Sequence, residues 1–518
     1  MKILKLGAIF VALVIVFPLF FIFIEMFFGD FSLLNHFSKY LLSGYIKDTF
    51  LLLFGVLVST ITIACISAYL VVNYKFPFSR FFEFALVLPL AIPAYIFSFA
   101  YVGLMDYNGE FMKVFGFRID MMNIWGAIFV ISLSLYPYIY MFAKTSFKTG
   151  SKTVFELAKI YNINGFMTFF KISLPLARPA IFGGAMLVAM ETLSDYGTAA
   201  YYGVNTFSAG IFKVWYDLDD SYLASFLAGI LMVIVFFIMF AEYLNKKSYS
   251  FNNNTSLILK PANLSKIAKF FAFLWCFTLF MIAFALPFYW LVYWSIFGDV
   301  KFDAGFIKMA SNSLFIAILA SVLIAAVGLF LTFSSRFFVS KLIKTMVLRC
   351  SSLGYALPGA SVGVCVMIVF GYIDRNFGTS LLSSSFVVLM FGYLVRFMTA
   401  SIYALDSGYS KISKFIDDAS KVMKISLWNM FFKVHLPLLK HFILLAFTLA
   451  FVDIVKELPL SLILRPFEFE TLSIRAFFYA TDERLYSAAL PSLLIVLISL
   501  CAVVFVEVYA HKKSKQSI

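Results

Sequence analysis

Thiols and imidazoles are scarce in this chain, with five cysteines and four histidines among 518 residues. Cys65, Cys276, Cys350, Cys365 and Cys501 lie in apolar stretches without Cys-x-x-Cys spacing, which argues against a disulfide framework and a thiolate metal site. His36, His435, His441 and His511 are too scattered to read as a histidine metal cluster. No Gly-x-x-x-x-Gly-Lys-Ser/Thr string occurs, so the chain does not cradle and hydrolyse ATP by the phosphate-loop mechanism. Neither a zinc-protease helix nor a strand-to-helix nucleophile elbow supports an intramembrane enzyme. Charge is sparse at 13% of residues, and 27 acids stand against 41 Lys and Arg for a net charge of +14. In a soluble protein that excess would suggest nucleic acid. Its placement along the chain points elsewhere.

What the chain has in abundance is apolar surface, 63% of residues, with a mean hydropathy of +0.95. That is too apolar for a soluble core and fits an all-α polytopic membrane protein. Twelve apolar runs reach roughly the 20 residues needed to cross the hydrocarbon. They cover 6–28, 49–72, 84–105, 124–147, 179–195 and 222–244, then 267–296, 309–333, 345–372, 383–405, 439–456 and 485–509. The first run follows Met1-Lys-Ile-Leu-Lys5 but is long and lacks a small-x-small cleavage site, so it reads as a retained span rather than a signal peptide. With the N-terminus inside, the inner segments hold 29 of the 41 Lys and Arg and only four acids, Glu156, Asp406, Asp417 and Asp418. This is the positive-inside bias, and it places both termini in the cytoplasm. The 67 phenylalanines are ordinary lipid-facing choices and carry no functional reading.

The chain also repeats itself. Glu156-Leu-Ala-Lys-Ile-Tyr-Asn162, closed by Leu174-Pro175, returns 262 positions on as Asp418-Ala-Ser-Lys-Val-Met-Lys424, closed by Leu436-Pro437. Glu191 falls on Asp453 and Asp195 on Glu457 at the same offset, while Asp48-Thr49 matches Asn312-Ser313 at 264 and Ile92-Pro93 matches Leu357-Pro358 at 265. The small drift is what loop insertions leave. Six spans per half, an even number, give a parallel six-plus-six repeat. The expected organisation is a first half over 1–245, an Asn- and Ser-rich cytoplasmic linker over 246–266 and a second half over 267–518.

Segments 156–175 and 418–437 resemble the cytoplasmic EAA loop of bacterial ATP-binding-cassette importer permeases. In that family the loop forms a short helix that docks into a cleft of a separate ATPase. The resemblance implies docking roles for Glu156, Ala158, Asn162, Leu174 and Pro175 in one copy and for Asp418, Ala419, Lys424, Leu436 and Pro437 in the other. The two prolines are expected to stop the loop and start the next helix. The family glycine is replaced by Asn162 and Lys424; asparagine tolerates a left-handed backbone, lysine poorly. The bland alternative is an amphipathic interfacial helix with basic residues at anionic headgroups, and two in-register copies favour docking over it.

Residues 190–207, 451–466 and 482–491 resemble the ferric-iron permeases of the same superfamily. That resemblance implies two copies of a cytoplasmic ATP-binding subunit, an external or periplasmic ferric-binding protein and a place in the bacterial inner membrane. It implies no cofactor on this chain, ATP and Mg being used by the partner. Glu191 and Asp195 are one helical turn apart, as are Asp453 and Glu457, and counting residues puts them in the outer half of the membrane. Ferric iron is a hard cation suited to carboxylate oxygens, so these four acids are candidates for the translocation path. The competing reading is structural pairing, Lys456 with Asp453 and Arg465 or Arg475 with Glu457. Tyr196, Tyr201 and Tyr202 read as interfacial rings. Two other functions fit less of the sequence: an importer of the same type for thiamine or a polyamine, and an ion-gradient secondary transporter.

Overall fold

Backbone polar groups in hydrocarbon are satisfied only when each segment closes its own hydrogen bonds, so long apolar runs fold as helices. The computed structural model describes residues 2–28, 37, 39–107, 109–160, 165–248, 262–298, 304–378 and 382–516, and it is all-α apart from one strand pair. Eleven helices among these residues are long and apolar enough to cross a membrane. The bent pair Ser79–Ala91 and Ala94–Phe115, which meet at 94°, has the geometry of a broken span or a re-entrant loop, and counts as a twelfth crossing in the first case.

Two pairs of expected spans have different limits, each for a local reason. The apolar runs 84–105 and 345–372 are interrupted at Ile92-Pro93 and Leu357-Pro358. A residue before proline is driven out of the helical region, and Ile92 and Leu357 are extended, at φ −103° and −90°. A 3-10 turn precedes each break, Leu88–Ala91 and Leu353–Ala356, and a new helix follows, Ala94–Met105 and Gly359–Phe377.

Leu174-Pro175 and Leu436-Pro437, by contrast, do not start a new helix. Spans Phe169–Ser194 and Leu427–Lys456 run straight through them. Proline has no N–H and its ring clashes with the carbonyl four residues back. The helix absorbs this in a single π turn, Phe169–Ser173 and Phe431–His435, in which the Leu174 and Leu436 N–H groups reach back five residues to Phe169 O and Phe431 O. Leu286-Pro287 is preceded by the same device at Met281–Ala285.

The helices gather into two compact units. One holds residues 31–218, 230–301 and 475–518, and its core packs Leu42–Asn73, Ile124–Ile160 and Leu174–Ser194 against one another. The other holds residues 1–30, 219–229 and 302–474, and packs the repeat equivalents Ala304–Ser335, Phe386–Tyr409 and Leu436–Lys456 in the same way. The units are not the sequence halves. Lys2–Phe28 packs on Lys341–Ser351 and Gly359–Phe377, while Lys266–Phe280 packs on Ser79–Ala85 and Leu485–Gln516 packs on Ala94–Met105. Near the second half's start, Tyr74–Lys75 pairs in parallel with Ala262–Asn263.

Candidate functional site

The two docking-type segments are built differently. In the first copy the helix Ile124–Ile160 carries its span without a break into the segment, so Glu156 and Ala158 lie on its last turns, while Asn162 lies outside the described residues. In the second copy the span Phe386–Tyr409 ends, a turn follows, and Lys414–Val422 forms a separate short helix. Asp418 and Ala419 are exposed on it. Lys424, at the position of the family glycine, adopts the left-handed φ of 55° that a glycine would supply. Ser426 then caps the next helix by accepting a hydrogen bond from Asn429 N at 3.2 Å. Pro175 and Pro437 are exposed and Leu174 and Leu436 half-buried at the π turns.

Beneath the second segment lies a buried ionic cluster that sequence reasoning missed. Arg336 Nη2 stands 2.5 Å and its Nε 2.9 Å from Asp417 Oδ2, with both side chains buried. His435, wholly buried, brings Nε2 to 3.1 Å from Asp417 Oδ1. Beneath the first segment, at the matching places, Tyr69 takes the position of Phe333 and Ser173 that of His435. Tyr69 packs on Phe169 at 4.7 Å, Phe147 at 5.7 Å and Tyr74 at 5.7 Å, and its hydroxyl donates to Gly165 O at 3.3 Å. Among the described residues, these places carry a buried ion pair in the second copy and aromatic and hydroxyl side chains in the first.

The candidate path acids meet the helix breaks. Asp195 ends the span Phe169–Ser194 and caps the short helix Gly197–Tyr201: its Oδ1 accepts from Thr198 N at 2.8 Å and its Oδ2 from Thr198 Oγ1 at 3.0 Å. Glu457 caps Pro459–Leu464 in the same manner, its Oε1 accepting from Leu460 N at 3.0 Å. Side-chain oxygens at a helix start satisfy amides that have no intrahelical partner. Glu457 carries a second load, a buried pair with Arg396 Nε at 3.1 Å. Arg396 also donates through Nη1 to Leu357 O at 2.8 Å, at the break before Pro358. Ser134, 262 positions earlier, does the same for Ile92 O at 3.1 Å. Gly359 leaves room where a Cβ would come 2.6 Å from Glu457 Oε1, and the equivalent residue in the first half, where the matching side chains are the shorter Asp195 and Ser134, is Ala94. A further repeated bond holds the start of a later helix in each half, Phe207 N to Thr49 Oγ1 at 3.2 Å and Leu472 N to Ser313 Oγ at 2.7 Å.

One turn before the caps, Glu191 and Asp453 are half-buried, and Asp453 lies 3.8 Å from Lys456 as the pairing alternative anticipated. Glu457 is paired, but with Arg396, sixty-one residues away in sequence and invisible to local spacing.

A cavity of about 670 Å³ opens beside Asp106, Glu110, Arg118, Asp120, Tyr201 and Glu483. Arg118 lies 3.8 Å from Asp106 and 3.5 Å from Asp120, and Lys113 lies 2.6 Å from Glu110. Of the three tyrosines read as interfacial, Tyr202 is buried and donates to Ser98 O at 3.3 Å, Tyr196 stacks on Phe212 at 3.7 Å, and Tyr201 lines this cavity. No group of three or more His, Cys, Asp or Glu among the described residues is placed to hold a metal ion. Gly359-Ala-Ser-Val-Gly363 spells a Gly-x-Ser-x-Gly string, but it opens a membrane helix after a 3-10 turn and Ser361 is fully buried, so it lacks the strand-to-helix context of a nucleophile elbow.

Comparison with known proteins adds a family. Residues 60–247 and 324–515 match the family described as binding-protein-dependent transport system inner membrane component, one match in each half. The chain is 25% identical over 475 residues to the Fe(3+)-transport system permease protein FbpB 2 of Haemophilus influenzae, covering 90% of both chains. It is 22% identical over 404 residues to the ferric transport system permease protein FbpB of Actinobacillus pleuropneumoniae, covering 71% of this chain and 56% of that protein.

Proposed function

Because the chain belongs to the family of binding-protein-dependent transport system inner membrane components, we propose that it is the permease subunit of an ATP-driven importer whose cargo is ferric iron. Members of this family are transport components, not catalysts. ATP hydrolysis therefore falls to a separate subunit.

The observation that carries the reading is the paired docking segment, present once in each family match and followed each time by a π turn and Leu-Pro at the same 262-residue offset. Two copies of a cytoplasmic ATPase dock there, on Glu156, Ala158 and Asn162 in one half and on Asp418, Ala419 and Lys424 in the other. Both termini face the cytoplasm of the inner membrane, as the basic excess of the inner segments supports, and both halves enter the membrane in parallel. Motor closure pushes both segments, and the spans that follow them, Phe169–Ser194 and Leu427–Lys456, carry the displacement toward the outer membrane half. The path alternates its access and takes cargo from an external binding protein.

Iron as cargo is supported by similarity over 90% of the chain to a protein named for Fe(3+) transport. Of the four candidate acids, Asp195 and Glu457 spend oxygens on capping. The path role rests chiefly on Glu191 and Asp453, half-buried one turn earlier.

The deciding experiment reconstitutes the chain in proteoliposomes with and without the ATPase subunit and offers ferric iron, thiamine and a polyamine, each on its own binding protein. ATP-dependent uptake of iron alone is expected. Uptake without the ATPase would replace this reading with a secondary transporter, and uptake of another solute would replace the cargo. Glu191→Gln with Asp453→Asn is expected to cut iron uptake at least tenfold at normal membrane abundance; full uptake would remove the path role.

A further inference from the structure

We propose that Arg336 is a positioning residue that splints the second docking segment to its span, so that the two halves couple to their motors by different means. The inference rests on the docking reading above and deepens it.

The need arises from the backbone. A docking helix transmits a push only if it is rigidly joined to a span. The first copy meets this with one uninterrupted helix, Ile124–Ile160. In the second copy the span stops at Tyr409 and the docking helix begins at Lys414; the turn between is held to the span by Ser410 N to Asp406 O, Lys411 N to Gly408 O and Ile412 N to Tyr409 O, but one continuous α-helical ladder does not run from span to docking helix. Arg336 bridges that gap. Its Nη1 donates to Tyr409 O at 3.1 Å, its Nη2 to Ile412 O at 3.3 Å, and its Nε and Nη2 to Asp417 Oδ2. One planar guanidinium thus joins the last turn of the span, the turn itself and the first turn of the docking helix. A lysine ammonium, a point charge, lacks the fork needed to hold all three.

The guanidinium also lies over the Tyr409 ring, 5.2 Å from its centre, and Asp417 is backed by His435 at the π turn of the following span. His435 in turn packs on Phe333, the residue three before Arg336, at 5.4 Å. The splint is therefore tied into the core of Leu329, Phe333, Leu405 and Leu439. Asp417 is buried while its neighbour Asp418 is exposed, so the two adjacent acids divide the work: one faces the bundle, the other the surface. In the first copy the residue matching Asp417 is Phe155, and the residue matching Arg336 is Val72, taking the 264 offset that aligns Tyr69 with Phe333. The ionic splint belongs to the copy whose helix is broken.

The test uses the full transporter in proteoliposomes, with ATPase subunits and ferric-loaded binding protein, and reads three quantities: copurified ATPase, iron transported per ATP hydrolysed, and amide hydrogen exchange over 414–422. Arg336→Met is expected to retain the ATPase, to lose at least tenfold in iron per ATP and to exchange at least tenfold faster over 414–422, with 149–160 unchanged. Arg336→Lys should fall between. Since Arg336→Met leaves a buried carboxylate alone and can depress folding, Arg336→Met with Asp417→Leu is the control: replacing both charges by apolar groups restores membrane abundance but not coupling. Wild-type coupling and exchange in that double variant would overturn the proposal, reducing the pair to a folding role. Equal coupling loss in Tyr69→Phe would overturn the claimed difference between copies. If amides 414–422 of the wild-type chain gain no protection when the ATPase binds, the docking reading itself fails, whatever the Arg336 variants do.

Discussion

At the scale of single residues the repeat is a set of equivalent positions filled with different chemistry. Asp195 and Glu457 both cap a short helix, but only Glu457 faces a buried arginine. Removing one partner of a buried pair leaves a charge without compensation and costs about 3–5 kcal/mol, whereas Asn still accepts as a helix cap, so its exchange for Asp costs little. Glu457→Gln is therefore expected to lower thermal stability in detergent by several degrees more than Asp195→Asn does, a difference that differential scanning fluorimetry reads directly. The partner Arg396 was not legible because nothing in local spacing ties a residue on one span to a carboxylate sixty-one positions on. Lys424 was legible. The sequence departs from a glycine there, and the backbone keeps the glycine's conformation at φ 55°. A non-glycine residue held in a sparsely populated region costs of order 1 kcal/mol or more. Lys424→Gly should thus raise stability by up to about 1 kcal/mol, less the extra freedom glycine gains in the unfolded chain, while Lys424→Val should lower it. Equal melting temperatures for the two would count against strain at this turn.

Among the elements, hydropathy located the spans but not their interruptions. A run of apolar residues has the same mean hydropathy whether or not its ladder is continuous, so the extended residues Ile92 and Leu357 hid within runs read as straight spans. Proline reads equally as a helix start, a break or a π turn, and which of these forms depends on whether neighbouring helices leave space to widen the coil. At Pro175 and Pro437 the wider coil won, and two helices were longer at their inner ends than the sequence suggested. A π turn adds one residue to a turn, about 100° of rotation for everything upstream. Pro437→Ala restores the missing donor and removes the clash. The helix is then expected to close to α, turning Leu427–Met430 and the docking segment away from the register that His435 and Asp417 share. Iron transported per ATP should drop severalfold with the ATPase still bound. An unchanged transport ratio, together with an unchanged exchange pattern over 427–437, would show that the π turn does not depend on the proline.

On the scale of the whole molecule, the duplication is visible in sequence because both halves kept the same hydropathy and the same loop motifs, but membership of the compact units is not. A span's sequence records that it is apolar; it does not record which half it packs against, and Lys2–Phe28 joins a unit made otherwise largely of second-half helices. If the chain carries two docking segments, as proposed, that has a consequence of its own. If the two ATPase subunits also contact each other, loss of one docking segment leaves both held by the other, since the second attachment is intramolecular, and avidity of about 10²–10⁴ over single-site binding is lost only when both fail. Glu156→Ala or Asp418→Ala alone is accordingly expected to leave the ratio near two ATPase subunits per permease, and the double variant to reduce it by about a hundredfold, with membrane insertion unaffected because both positions lie on segments that end before the next span. Native mass spectrometry of the purified complex gives the ratio of ATPase to permease in each variant. Loss of one of the two ATPase subunits in each single variant would mean that the motors bind independently, and full retention in the double variant would mean that these acids take no part in docking.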